Sequence, residues 1–274
     1  MQASAIKLIL SDIDGTIMPA GASTVSQRTV AAFRAALDSG IMAGPASGRG
    51  LVQIAPFFRG DAACCQTAIA TNGLEVYCAG EKICEHRLPI IALERALDIV
   101  RDTPGAGLLA FDGTTPQLVA GDRDVLARIT PAYARACVPV GALPAGDVLK
   151  ANIFIDADMA GTEAFVTRLN DEVDGLDFDI PMVGYANIMP KGWNKGSALR
   201  TLCDHLGITP DQVVVFGDAG NDLTMFSVAG HAVAVGNATP EAKAGARWHI
   251  GRCEDDAVAA AIEVLAAGGW PFSE

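Results

Sequence analysis

The chain has 274 residues, half of them hydrophobic and 19% charged, which suits one large domain or two smaller ones built on a sizeable core. The formal net charge of -12 argues against wrapping a nucleic-acid backbone, which calls for clustered Lys and Arg. It does not exclude an anionic substrate, because a metal and a few fixed cations reverse the potential inside one cleft. Seven cysteines without a C-x-x-C pair are expected to be reduced thiols of a cytoplasmic protein, and a Cys64–Cys65 metal site is disfavoured because the ligand spacings are absent.

The first apolar run, residues 6–10, is too short for a secretory signal or a membrane span and is predicted to be a strand buried on both faces. It leads straight into Ser11-Asp12-Ile13-Asp14-Gly15-Thr16. Residues 26–39 place Val30, Phe33 and Leu37 at helical spacing, with Gly40 as the stop. A second run, 41–46, ends in Ser47-Gly48-Arg49, and a third, 67–71, ends in Asn72-Gly73. This alternation predicts a parallel sheet with crossover helices.

The middle reads differently. Helix-like stretches at 90–102 and 161–172 alternate with strand-like 149–155, which predicts a small α/β unit of its own. The first pattern then resumes with a helix over 194–206 stopped by Gly207, a strand over 213–216 ending in Gly217-Asp218-Ala219-Gly220-Asn221-Asp222, a strand over 232–235 ending in Gly236-Asn237-Ala238, and a closing helix over 254–267. The polar clusters follow the apolar runs. In an open parallel sheet those positions converge on one rim, so Asp12, Asp14, Ser47, Asn72, Asp218, Asn221 and Asp222 are expected to share a site.

Asp12 and Asp14 suit a nucleophile beside an acid/base, since carboxylates form aspartyl-phosphates and a second carboxyl can protonate a leaving alkoxide. The plain alternative is a helix cap or turn. Asp218 and Asp222 offer oxygen ligands to a hard cation, with helix capping as the competing reading; both can hold together. Lys195 opens a helix, where a cation opposes the helix dipole, and so suits bridging Asp12 and a phosphate; nearby Lys191 is the rival. Ser47 offers a hydroxyl and a backbone N–H to a phosphate at a helix start, or serves as an ordinary N-cap.

Together these residues resemble the haloacid dehalogenase superfamily of phosphohydrolases, Cof-type subfamily IIB. Its four motifs stand in order as Asp12-Ile13-Asp14-Gly15-Thr16, Ser47-Gly48-Arg49, Asn194-Lys195-Gly196 and Gly217-Asp218-Ala219-Gly220-Asn221-Asp222, with Asn72-Gly73 and Gly236-Asn237-Ala238 as further matches. The resemblance implies an α/β protein: a three-layer Rossmann-like core with a parallel sheet, over 1–83 and 187–274, and an inserted α/β cap over 84–186. It implies a magnesium-dependent phosphatase of a small phosphorylated metabolite such as a sugar phosphate. Asp12 would attack phosphorus, Asp14 would act as acid then base and lend its carbonyl to the metal, Asp12 and Asp218 would ligate the metal, and Asp222 would support it directly or through water. Ser47 and Lys195 would hold phosphoryl oxygens, with Gly15, Thr16, Gly48, Arg49, Asn72 and Asn221 lining the substrate. Specificity would come from cap residues such as Asp112, Lys150, Asn152 or Tyr185. Ser47 stands where Thr is commoner, Asn187-Ile188 where Glu-Ile is common, and Val235 replaces a common Met; Trp193 is unusual before the third motif. A sugar phosphomutase and a non-catalytic metabolite-binding protein stay open as alternatives, and a dehalogenase would leave Asp14 without a role. Oligomeric state is not legible.

Overall fold

The computed structural model describes residues 6–273. They divide into two compact units, Met1–Glu85 with Asn194–Glu274, and His86–Trp193. The second crossing lies at Trp193, beyond the expected 186. The reason is that strand Tyr185–Pro190 pairs with Leu176–Met182 and with Ala151–Ile155, and so belongs to the inserted unit.

The first unit is built on a five-stranded parallel sheet in the order Trp248–His249, His231–Ala234, Val213–Gly217, Leu8–Ser11, Met42–Pro45. Leu8, Ile9, Leu10 and Val213 to Phe216 are fully buried, as strands covered on both faces require. Helix Gln27–Asp38 starts where Ser26 Oγ accepts from the Thr29 N–H, and it packs against Ala257–Ala266. Helix Lys195–Leu206 starts at Asn194, whose Oδ1 accepts from the Ser197 N–H, and ends at Gly207 in the left-handed region (φ 64°).

The third apolar run departs from expectation. Ala68–Ala70 meets the parallel sheet through one bridge, Ala46 to Ile69, and otherwise heads an antiparallel sheet with Glu75–Cys78 and Glu81–Glu85. No full crossover helix precedes it. Pro56 and the left-handed Arg59 and Gly60 cut that segment into a four-residue helix, Leu51–Ile54, and two 3-10 turns, Ala55–Phe58 and Ala62–Cys65.

The second unit is a six-stranded mixed sheet in the order Leu176–Met182, Tyr185–Pro190, Ala151–Ile155, Ala106–Asp112, Thr115–Ala120, Val138–Pro139. Its central strand Ala106–Asp112 alternates between two cores. Leu108 and Ala110 face a core that includes Leu93, Leu97 and Phe165 from helices Ile90–Arg101 and Met159–Glu172; Leu109 and Phe111 face the other, with Leu126, Ala134 and Phe154. No helix among the described residues is long and apolar enough to cross a membrane.

Candidate active site

Asp12 directly follows strand Leu8–Ser11, and its N–H still donates to the Phe216 carbonyl at 2.9 Å. That bond keeps the residue in register and leaves its side chain at the carboxyl rim of the sheet. Asp218 directly follows the neighbouring strand Val213–Gly217, and Lys195 is the first residue of its helix. Lys195 is 1% exposed, and its Nζ lies 2.7 Å from both Asp12 Oδ1 and Asp222 Oδ1. Asp222 is wholly buried, and its Oδ2 accepts from the N–H groups of Asp218 (3.0 Å) and Ala219 (3.2 Å). Asp222 is therefore at once a turn cap and a charge partner. Lys191 lies in the other unit, exposed and paired with Asp174, so the rivalry with Lys195 resolves in favour of Lys195.

The loop after Asp12 is built around Asp218. Thr16 Oγ1 donates to Asp218 Oδ1 at 2.7 Å. Gly15 sits at φ 84°, and a Cβ there would lie 2.6 Å from Asp218 Oδ2, so both conformation and space call for glycine. Asn237 donates from Nδ2 to the Gly15 carbonyl (2.7 Å) and accepts from the Cys253 N–H (2.9 Å). Sequence reasoning placed Asn237 only in a strand-end signature. Its position at the end of the His231–Ala234 strand, on the same rim, was the usable signal.

Burial is the largest influence on Asp12 and raises its pKa; Lys195 pulls the other way, while Asp222 and Asp218 add to the rise. Asp218 is pushed up to about 6, chiefly by burial, against the Thr16 hydrogen bond. Burial works against the Lys195 ammonium, yet Asp12 and Asp222 outweigh it and hold its pKa above the ordinary lysine value. Three carboxylates thus face one ammonium. Oxygens of Asp12, Asp218 and Asp222 lie within 4.8 Å of one another. Hard oxygen donors under mutual repulsion fit a magnesium ion, whose charge would offset that repulsion. Asp222 already accepts three hydrogen bonds, so Asp12 and Asp218 have the freer lone pairs.

The second cluster needs a correction. The Ser47 N–H donates to the Ile69 carbonyl (2.8 Å), so it is not free for a phosphate. Nor does Ser47 cap a helix, because Leu51–Ile54 starts after Gly50. The hydroxyl, which accepts from the Arg49 N–H at 3.3 Å, is the Ser47 group left to reach a ligand. Arg49 forms a two-pronged pair with Asp14, both contacts 2.8 Å, and lies over the Phe57 ring. Asn221 is half-buried on the Gly220–Asp222 turn. Asn72 is 8% exposed, and its buried Oδ1 meets no hydrogen-bond partner among the described residues. Thr71 (φ 53°) and Asn72 (φ 55°) are consecutive left-handed residues, at a cost of about 1–2 kcal/mol each.

In the second unit Asn152 donates to Asn187 (3.0 Å) and Asn187 to Asp179 (2.6 Å), a polar row across three adjacent strands. Lys150 lies over the rings of Phe111 and Tyr133, the buried Tyr185 hydroxyl has no hydrogen-bond partner among the described residues, Trp193 meets His86 in a tilted ring contact, and Asp112 is exposed at a strand end. Burial pushes the Cys64 and Cys65 thiols up to about 11 and about 12, which keeps them protonated and unsuited to metal binding.

The profile of the haloacid dehalogenase-like hydrolases matches residues 9–262. Phosphoglycolate phosphatase of Pyrobaculum aerophilum is 32% identical over 163 residues, 59% of this chain and 68% of that protein. HMP-PP phosphatase of Serratia proteamaculans is 46% identical over 74 residues, but that match spans only 26% of this chain and 27% of the relative. A solved structure of a haloacid dehalogenase subclass IIB sugar phosphatase superposes with a TM-score of 0.78 at 20% identity, over 94% of this chain and 98% of that one, which is a likeness of fold.

Proposed function

The chain belongs to the haloacid dehalogenase-like hydrolases, and from that premise we propose that it is a magnesium-dependent phosphatase that hydrolyses a small phosphorylated metabolite, a sugar phosphate or similar monoester, through an aspartyl-phosphate. The observation that carries this reading is the buried Asp12 carboxylate. One of its oxygens is held at 2.7 Å by Lys195, Asp218 lies beside it, and Asp14 stands two residues on. The free thiols and the acidic surface agree with a cytoplasmic enzyme that does not act on nucleic acid.

Lys195 holds Asp12 Oδ1 and leaves Oδ2 to form the bond to phosphorus. As the phosphorus–alkoxide bond breaks, Asp14 gives its proton to the departing oxygen. Water then attacks the aspartyl-phosphate, Asp14 takes the water's proton, and the bond from Asp12 to phosphorus breaks to release phosphate. Arg49 must first release Asp14, which costs about 0–1 kcal/mol for a pair this exposed. The Ser47 hydroxyl and the Lys195 ammonium stabilise charge on the phosphoryl oxygens. Asp12 and Asp218 would hold magnesium, with Asp222 in support, and the bound ion would supply further charge stabilisation there.

Phosphate release from a panel of sugar phosphates, nucleotides, phosphorylated cofactors and p-nitrophenyl phosphate tests the proposal. Turnover is expected with magnesium and is expected to vanish with a chelator. Silence across the whole panel would sink it.

A further inference from the structure

Strand Glu75–Cys78 opens on a buried carboxylate that the steps above do not use. Glu75 is 7% exposed. Its Oε1 accepts from the Tyr77 hydroxyl at 2.8 Å and lies 2.8 Å from Lys82 Nζ, while its Oε2 accepts from Thr71 Oγ1 at 3.3 Å. Burial, reinforced by Glu75, pushes the Tyr77 phenol up to about 12, so it stays a donor. Glu75 is thus moored on one side by its own small sheet and tied on the other to Thr71.

Thr71 is the first of the two left-handed residues, and a β-branched side chain rarely takes that conformation. The turn grips the neighbouring loop through its backbone. The Thr71 N–H donates to the Arg49 carbonyl and the Asn72 N–H to the Ser47 carbonyl, each at 2.9 Å. Gly48, between those carbonyls, leaves room for the Asn72 carboxamide; a Cβ there would lie 3.0 Å from Asn72 Oδ1. The backbone carrying Ser47 and Arg49 is therefore pinned by a strained turn, and such a turn persists only where its surroundings over-determine it.

We propose that Glu75 is a positioning residue of the active site. Moored by Tyr77 and Lys82, it holds Thr71–Asn72 left-handed, and through their two N–H groups it sets where Ser47 meets the phosphoryl group and Arg49 meets Asp14. This rests on the phosphatase reading, which gives that loop its task. A merely structural Glu75 would support stability and leave the kinetics of folded molecules alone.

The test uses the full chain with magnesium, measuring kcat, KM for p-nitrophenyl phosphate, the inhibition constant of inorganic phosphate, and melting temperature. Glu75→Ala is expected to raise both KM and the phosphate inhibition constant about tenfold, and Glu75→Gln, which keeps an acceptor, less than about threefold. Thr71→Val deletes only the hydroxyl and is expected to follow Glu75→Ala within about threefold, so it decides the matter if the alanine variant folds poorly. In a Ser47→Ala background the Glu75→Ala effect is expected to shrink to about twofold or less, because both act through one loop. A lower melting temperature with unchanged KM and inhibition constant, or effects that multiply in the double variant, overturns the positioning role. A wild-type protein that releases no phosphate sinks the phosphatase reading instead. In that case amide exchange at Thr71 and Asn72 decides whether Glu75 holds the turn: acceleration in Thr71→Val supports it and unchanged rates refute it.

Discussion

In the first unit the buried polar groups that matter are charged and stand at strand ends or a helix start: Asp12, Asp222 and Lys195, with Asp218 beside them. In the second unit a deeply buried polar side chain, Asn152, is neutral and stands in mid-strand, joined to Asn187 and Asp179 at matching register positions on the next two strands. The two arrangements answer different problems. The row ends on the Asp179 carboxylate and leaves Asn152 Oδ1 without a partner among the described residues, yet it penalises a one-residue slip that would turn its side chains to the other face. Three carboxylates around one ammonium are not self-satisfying, and they favour a cation. The first unit is organised for chemistry, at a cost to its own stability; the second is organised for register.

Asp12→Asn tests the chemical side most severely. Turnover is expected to fall by more than about 1,000-fold with a cooperative melt retained, and residual turnover near wild type in a phosphate-release assay would end the nucleophile assignment. Lys195→Ala comes next. It leaves Asp12 and Asp222 buried without their cation, and denaturant unfolding is expected to show a loss of about 3–5 kcal/mol.

Metal and pH give the third contrast. Burial pushes the Asp218 carboxyl from the ordinary 3.8 up to about 6, so its contribution to metal-free stability is full below about pH 4 and is lost as pH rises through 6; Asp12 moves in the same direction. The lowered carboxyls, half-buried Asp61 and exposed Asp174, Glu254 and Glu263, act in a lower pH window. Magnesium competes with the protons on Asp12 and Asp218. The melting temperature gained on adding magnesium is therefore expected to be larger at pH 7.5 than at pH 5, and the difference is expected to shrink in Asp218→Asn. An equal gain at both pH values would break this account.

The second unit supplies the smaller effects. Asn152→Ala leaves Asn187 short of a donor in the sheet interior and is expected to cost about 1–3 kcal/mol, read by denaturant unfolding. Ser47→Thr keeps the hydroxyl and is expected to change kcat/KM less than about threefold.

Much of the first unit was legible because a parallel strand buried on both faces is one unbroken apolar run and its rim begins where polarity returns. Asp12, Ser47 and Asp218 each stand just past such a run. Other features were not readable. The Ser47 N–H is taken by Ile69, Arg49 closes on Asp14, and Asn237 props up Gly15; each joins residues remote in the chain, and no local pattern marks it. The third run failed as a full member of the parallel sheet because a short apolar run looks the same in either kind of sheet. The inserted unit's far boundary was misplaced because strand Tyr185–Pro190 takes its membership from its pairing partners.

The sequence by itself determined the order of the elements, the acidic strand ends and the helix that begins on Lys195, since all of these follow from local periodicity, capping and turn chemistry. Only the tertiary structure decided that Lys195, and not Lys191, lies between Asp12 and Asp222, that Asp222 is already capped, and that Glu75 grips the turn behind Ser47. The Lys195 contacts depend on which distant groups lose water together, and the local contacts of Asp222 and Glu75 were chosen from several turn and cap geometries by the packing around them.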